Sequence, residues 1–126
     1  MKTKRTFPRA ILSAIREDKV LRIRAGNGTH RFLGIWAVVV EDRVFVRSWS
    51  LEPRGWYRTF REEPRGAILL AGREIPVRAL LSRSERMKDA IDEAYLAKYD
   101  TPGSIQWARG LASAKRRATT TELVPL

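Results

Sequence analysis

The residues best equipped for chemistry in this sequence are hydrogen-bond donors. Arg24, Arg31, Arg47, Ser48, Tyr57 and Arg58 fall around two turn-forming stretches, the loop 26–30 (Gly-Asn-Gly-Thr-His) and the Gly55-Trp56-Tyr57 segment. Guanidinium forks, hydroxyls and turned backbone N–H groups are what a phosphate or another anion requires, each charge-assisted bond contributing about 1.5–3 kcal/mol. The glycines flanking Asn27 permit positive φ, which lets Gly28, Thr29 and His30 aim donors at one point. Trp49 and Trp56 offer a flat apolar wall beside them. A second reading stays open: Trp56 and Tyr57 as core aromatics, with the arginines in solvent.

Other chemistries find less support. His30 is the single histidine and has no evident partner, and no GxSxG elbow occurs. The absence of cysteine excludes disulfides, thiolate catalysis and Cys-based metal sites, and one histidine alone gives no basis for a transition-metal centre. There is no GxxxxGK[ST] loop, and Gly26-Asn27-Gly28 is too short for a dinucleotide fingerprint. Asp89, Asp92 and Glu93 are expected on a solvated helix face, with Met87 and Tyr95 on the core side of the same helix.

These residues sit in a chain of 126 residues with 44% hydrophobic content, enough for one domain, 1–126, with a core. Residues 1–6 form a basic tail expected to be flexible. The 25 Lys and Arg outnumber the 14 Asp and Glu, a net charge of +11. Residues 1–31 hold nine basic and two acidic side chains, whereas 82–100 hold four and five. Such a field favours anionic partners: nucleic acid, phosphate-bearing cofactors or anionic lipid. No apolar run reaches the about 18 residues of a membrane span, and no signal peptide is recognisable, so the cytoplasm is the expected compartment.

The elements that position the donors follow from periodicity. Pro8 opens a helix to Asp18 with Ile11, Leu12 and Ile15 on one face. Stretch 20–25 alternates, placing Leu21, Ile23 and Ala25 inward and Arg22 and Arg24 outward. Stretch 35–40 is apolar on both faces, as befits a strand in a barrel. After a turn at Glu41-Asp42, strand 43–49 presents Val44, Val46 and Ser48 on one face and Arg43, Phe45, Arg47 and Trp49 on the other. That Arg and aromatic face calls for a covering ligand or partner. A short helix over 55–63 ends at Pro64. A hairpin over 67–71 and 74–81 turns at Gly72-Arg73, with Pro76 pointing to an edge strand or a bulge. The Ser82-Arg83-Ser84-Glu85 capping box opens a helix to Tyr99. A second helix over 104–114 and a β-branched final strand over 119–126 complete the chain. The sum is a mainly β (α+β) domain, a six-stranded antiparallel sheet closed into a barrel with flanking helices, since closure removes exposed edges.

The run GIWAVVVEDRVFVRSW, followed by RGWYRTF and AILLAGREIPVRAL, resembles the FMN-binding split-barrel superfamily. More narrowly it resembles an uncharacterised bacterial family related to the deazaflavin-dependent nitroreductases. The likeness covers about residues 20–81, where a strand, a Gly-containing polar loop, a hairpin, a Gly-Trp-Tyr turn and a second hairpin follow in order. It implies a split β-barrel, a homodimer, and FMN or deazaflavin bound at the polar face near the dimer interface. By position, it implies that Arg24 and the loop residues Gly28, Thr29 and His30 meet the phosphate. Arg47, Ser48, Trp56, Tyr57 and Arg58 are then the remaining cofactor-binding candidates. Two departures stand out. The loop reads Ala-Gly-Asn-Gly-Thr-His where the nitroreductases carry Gly-Arg-Lys-Ser-Gly. Arg58 and Thr59 directly follow the Trp-Tyr pair, where those enzymes place an Asn one residue beyond it.

Three functions follow as expectations. The first is a flavin- or deazaflavin-dependent oxidoreductase in which the cofactor carries the hydride chemistry. The second is a non-catalytic module that has lost its cofactor and binds another anion or a protein. A nucleic-acid binder ranks below both, because the basic residues are spread along the chain without a recognised motif.

Overall fold

The structure, a computed structural model, describes residues 6–26, 31–50 and 55–126. The tail through residue 5 and the cofactor-loop candidates Gly28, Thr29 and His30 lie outside the described residues.

The chain begins with α1 (Arg9–Glu17), started by Pro8, whose carbonyl accepts from the N–H groups of Ile11 and Leu12. Leu12 and Ile15, one turn apart, are buried. Strand β1 (Leu21–Ala25) follows with the expected alternation: Leu21, Ile23 and Ala25 buried, Arg22 exposed. Next come β2 (Leu33–Ile35), β3 (Ala37–Val40) and β4 (Arg43–Val46). The β3–β4 hairpin turns at Glu41 and Asp42, both with positive φ (53° and 60°). This is the mirror-type turn that matches strand twist, made here without glycine.

Helix α2 (Trp56–Glu62) leads to the hairpin of β5 (Arg65–Leu70) and β6 (Arg73–Leu81). The hairpin turns at Ala71-Gly72, with φ of 49° and 76°, one residue before the expected Gly72-Arg73. Helix α3 (Glu85–Lys98) is capped by Ser84, whose hydroxyl accepts from the Met87 N–H, rather than by Ser82. The single helix expected over 104–114 is two short ones, α4 (Ile105–Gly110) and α5 (Ala114–Arg117). Strand β7 (Thr121–Pro125) ends the chain, starting two residues later than expected.

All strand pairings are antiparallel, in the order β2-β1-β5-β6-β7-β4-β3. Among the described residues there are thus seven strands rather than six. The outermost two, β2 and β3, are consecutive in the chain and separated only by Trp36. One run, 33–40, therefore pairs with β1 at its start and with β4 at its end, and so nearly closes the sheet into a barrel. Trp36 marks the break between the two pairings. Pro76 lies in a strand paired on both sides, not at an edge or in a bulge. Its carbonyl accepts from the Leu126 N–H, on the β7 side, just past the last paired residues of β7. The N–H that proline lacks would point the same way, toward Leu126, so its absence leaves the pairing with β5 intact.

Two apolar clusters lie on opposite faces of the β3–β4 hairpin. Inside the barrel, Ile23, Ala37, Val44, Val46, Ile68, Val77 and Leu123 pack with Leu12 and Ile15 of α1 and Phe60 of α2. Outside it, Val38 and Phe45 pack with Met87, Ile91, Tyr95 and Tyr99 of α3 and with Ala108 and Leu111. The Arg and aromatic face of β4 is therefore covered, and the cover is the chain's own helix. The expectation of a ligand or partner over Phe45 and Arg47 is corrected on this point. Among the described residues, no helix is long and apolar enough to cross a membrane.

Candidate functional site

Beyond Val46 the chain leaves the ladder, and its next four residues, Arg47 to Ser50, form one side of a cavity of about 480 Å³. The strand break contributes Leu33, Gly34, Ile35 and Trp36. The start of α2 contributes Gly55 and Trp56, and the α4 region contributes Trp107 and Leu111. All four tryptophans of the chain line this one cavity. Its volume lies in the range of small-molecule sites, and its walls are mostly apolar with a few polar groups.

Each wall is held from behind. Trp36 stacks on Tyr99 with ring centroids 3.9 Å apart and planes 3° from parallel. Its carbonyl accepts from the Tyr95 hydroxyl at 2.9 Å. The Tyr99 hydroxyl donates to the Lys19 carbonyl at 2.7 Å and accepts from the Ala37 N–H at 3.3 Å. Burial pushes the Tyr95 phenol up and the Tyr99 phenol up to about 12, so both remain donors at neutral pH. Trp49 carries the Arg116 guanidinium 3.6 Å from its ring centroid, and Arg116 Nε donates to the Trp49 carbonyl at 3.0 Å. Trp107 meets Trp49 edge-on at 5.0 Å. Gly110 completes this packing: a Cβ there would lie 2.6 Å from two carbons of the indole. Trp56 meets Phe60 edge-on at 6.1 Å.

Among the described residues, Arg47 is the one charged residue lining the cavity, and its side chain has no solvent exposure. Nε donates to Thr120 Oγ1 at 2.8 Å, Nη1 to Asp92 Oδ1 and to the Leu111 carbonyl, and Nη2 to the Lys88 carbonyl. Four of the five guanidinium donors are thus engaged within the protein. Asp92 Oδ2 accepts from Arg117 Nη1 at 2.7 Å, and Arg117 also pairs with Glu85 and Asp89. The Ser48 hydroxyl donates to the Ser50 carbonyl, and the Ser48 N–H donates to Thr119 Oγ1 at 2.8 Å. No base stands beside that hydroxyl among these contacts, so it is an oriented dipole rather than a nucleophile.

Of the cofactor-binding candidates read from the sequence, Arg47, Ser48 and Trp56 line the cavity together. Arg24 does not. It bonds both carboxylate oxygens of Glu74 on β6, at 3.3 and 3.1 Å, and lies 4.5 Å from the Phe32 ring centroid. Tyr57 meets Trp56 edge-on and accepts from Arg61 Nη1, while Arg58 is exposed on α2; neither lines the cavity. Arg47 points away from the barrel core, as expected, but into the α3 cluster and not outward. Asp92, expected in solvent, is its half-buried counterion. The sequence reading found the Trp49 and Trp56 walls and missed Trp36 and Trp107. Trp36 carried one signal, a bulky aromatic inside an otherwise smooth aliphatic strand. Among the described residues, no group of three or more His, Asp or Glu side chains is placed to hold a metal ion.

Over residues 10–123 the chain matches the model of a family described as uncharacterized protein conserved in bacteria, DUF2255. No curated protein matches it. Among solved structures it is similar to the conserved hypothetical protein Rv2991 from Mycobacterium tuberculosis. The TM-score is 0.58 at 10% identity, covering 100% of this chain and 84% of that one, a likeness of fold.

Proposed function

This chain belongs to the DUF2255 family of bacterial proteins, and from that premise we propose that it binds a planar heteroaromatic ring, of flavin or deazaflavin type, in the tryptophan-lined cavity. The observation that carries this reading is the convergence of Trp36, Trp49, Trp56 and Trp107, drawn from four separate segments, on one cavity. Indole walls bury a large flat area and favour offset or edge-on partners, the geometry a tricyclic ring offers.

The two halves of such a cofactor fit unequally. The ring half fits the volume and the apolar walls. Among the described residues, the phosphate half finds one cation on the cavity, Arg47, with four of its five donors already engaged. When bound, a flavin or deazaflavin supplies hydride transfer by itself. The protein's part is to hold the ring, through Trp36 and Trp49 braced by Tyr99 and Arg116, and to exclude water. No side chain need act as acid or base, which agrees with an oriented but unactivated Ser48.

The same engagement of Arg47 favours a second reading, a non-catalytic module that binds a ring without turnover. Titrating the purified protein with riboflavin, FMN and deazaflavin while following tryptophan fluorescence tests the common claim. With every indole at the cavity, saturable quenching is expected for at least one ring, and no quenching by any of them overturns it. Oxidation of a reduced nicotinamide by the ring-loaded protein then separates the oxidoreductase from the module.

A further inference from the structure

The charge state of the cavity says which ligands it selects. We infer that the site recognises its ligand through a neutral ring and gains little from an anionic tail, and that Asp92, behind the cavity wall, sets this selectivity. The inference rests on the preceding reading that the cavity holds a planar ring.

Among the described residues, Arg47 is the sole charged side chain on the cavity surface, and Asp92 Oδ1 accepts directly from its Nη1. The Leu111 and Lys88 carbonyls and the Thr120 hydroxyl take further donors. The guanidinium therefore presents to the cavity a charge already balanced and a fork with four of its five donors engaged. An anion entering here would lose its hydration against indole and aliphatic walls and gain from Arg47 only the one Nη2–H left over. A neutral ring would lose only apolar hydration and gain stacking. The other strong candidate for an anion, Arg24, lies off the cavity and is paired with Glu74. Asp92 acts through Arg47 and does not line the cavity, so it is a positioning residue.

Riboflavin and FMN share one ring and differ by a phosphate, which makes the pair a direct test. With the full-length protein, their dissociation constants from tryptophan quenching are expected to agree within about threefold. Their ratio is expected to hold when salt is raised, since screening weakens only the charged contribution. FMN binding tenfold or more tightly overturns the inference, while the ring reading stands. Binding of neither, and of no deazaflavin, by a folded protein overturns the ring reading itself. Asp92→Asn keeps an acceptor for Arg47 but removes the balancing charge. It is expected to leave riboflavin binding unchanged and to raise FMN affinity about tenfold relative to riboflavin. An unchanged ratio removes Asp92 from its assigned role. Where that variant does not fold, the comparison of riboflavin with FMN in the unaltered protein decides the inference alone.

Discussion

Behind the Arg47 guanidinium, toward α3 and α5, polar groups meet polar groups: Asp92, Arg117, Thr120 and two helix-end carbonyls. In front of it lie four indoles, Leu33, Ile35 and Leu111 around an unfilled volume. One residue separates a region whose hydrogen bonds are satisfied internally from a region whose apolar surface is not. The difference teaches that the basic excess of this chain is a poor guide to its site. Many arginines are used in pairs, Arg16 with Asp42, Arg24 with Glu74, Arg43 with Glu122 and Arg86 with Glu41. The Glu122 carboxylate holds the Arg43 guanidinium above its ordinary range, and Arg86 holds Glu41 below its own. The exposed pairs, Arg16 with Asp42 and Arg86 with Glu41, contribute little to stability, but all four leave fewer cations for an anionic partner such as nucleic acid. The tryptophans, by contrast, converge.

The largest effect should come from the satisfied side. Arg47→Met leaves Asp92 with one arginine and takes a donor from the Leu111 and Lys88 carbonyls and from Thr120 Oγ1, whose hydroxyl keeps its own bond to the Arg117 carbonyl. Removing one member of a buried ion pair costs about 3–5 kcal/mol, to be read from the midpoint of urea unfolding. A loss below about 1 kcal/mol would show that the network is not what joins β4 to α3.

On the cavity side the effects should be on binding more than on folding. Gly110→Ala drives a methyl into the Trp49 ring at 2.6 Å. Because that indole is 41% exposed, it can swing away, so the stability cost should fall at the low end of the about 1–3 kcal/mol of overpacked sites. Ring affinity should drop about tenfold as the wall shifts. Trp49→Ala should cost a comparable factor in affinity, since one aromatic pair contributes about 0.5–1.5 kcal/mol beyond its area, while Tm changes little. If Trp49→Ala lowers Tm strongly while the folded variant binds the ring as before, the division between the two regions is wrong.

How much of this was legible beforehand follows the same division. Strand β1 declared itself by strict alternation, and the 43–49 pattern correctly sent Val44 and Val46 inward and Arg47 to the other face. Its cover was not legible. The contact between Arg47 and Asp92 spans 45 residues, and nothing local in either segment marks the partner. Long-range pairing also hid the split of run 33–40 into two strands, because a single extended segment reads the same whether it pairs with one neighbour or changes neighbours at Trp36. For the cavity, periodicity places side chains on faces but does not say which faces meet, so Trp107 gave no sign of reaching Trp49.

The smallest predicted effect lies at the far end of α3, where a polar contact is satisfied but charged. Lys98 Nζ donates to the Ile15 and Ala37 carbonyls at 2.8 and 2.7 Å, joining α1, β3 and α3. Burial, aided by the nearby Lys19 and opposed by Asp18, pushes its ammonium down from 10.5 to about 8. A depressed amine means that the unfolded chain binds more protons between those two values. Stability should therefore rise with pH across that window, and below about pH 8 the protein carries the full cost of holding the charge. The slope should be shallow, because the group is only half-buried and water screens it. Lys98→Met should flatten the profile between pH 8 and pH 10.5 without altering ring affinity, since Lys98 lies off the cavity. A profile that keeps its slope in this variant would assign the titration elsewhere. An accompanying loss of ring binding would mean that the stack of Trp36 on Tyr99, whose ring lies 5.3 Å from Lys98 Nζ, transmits the end of α3 to the cavity wall.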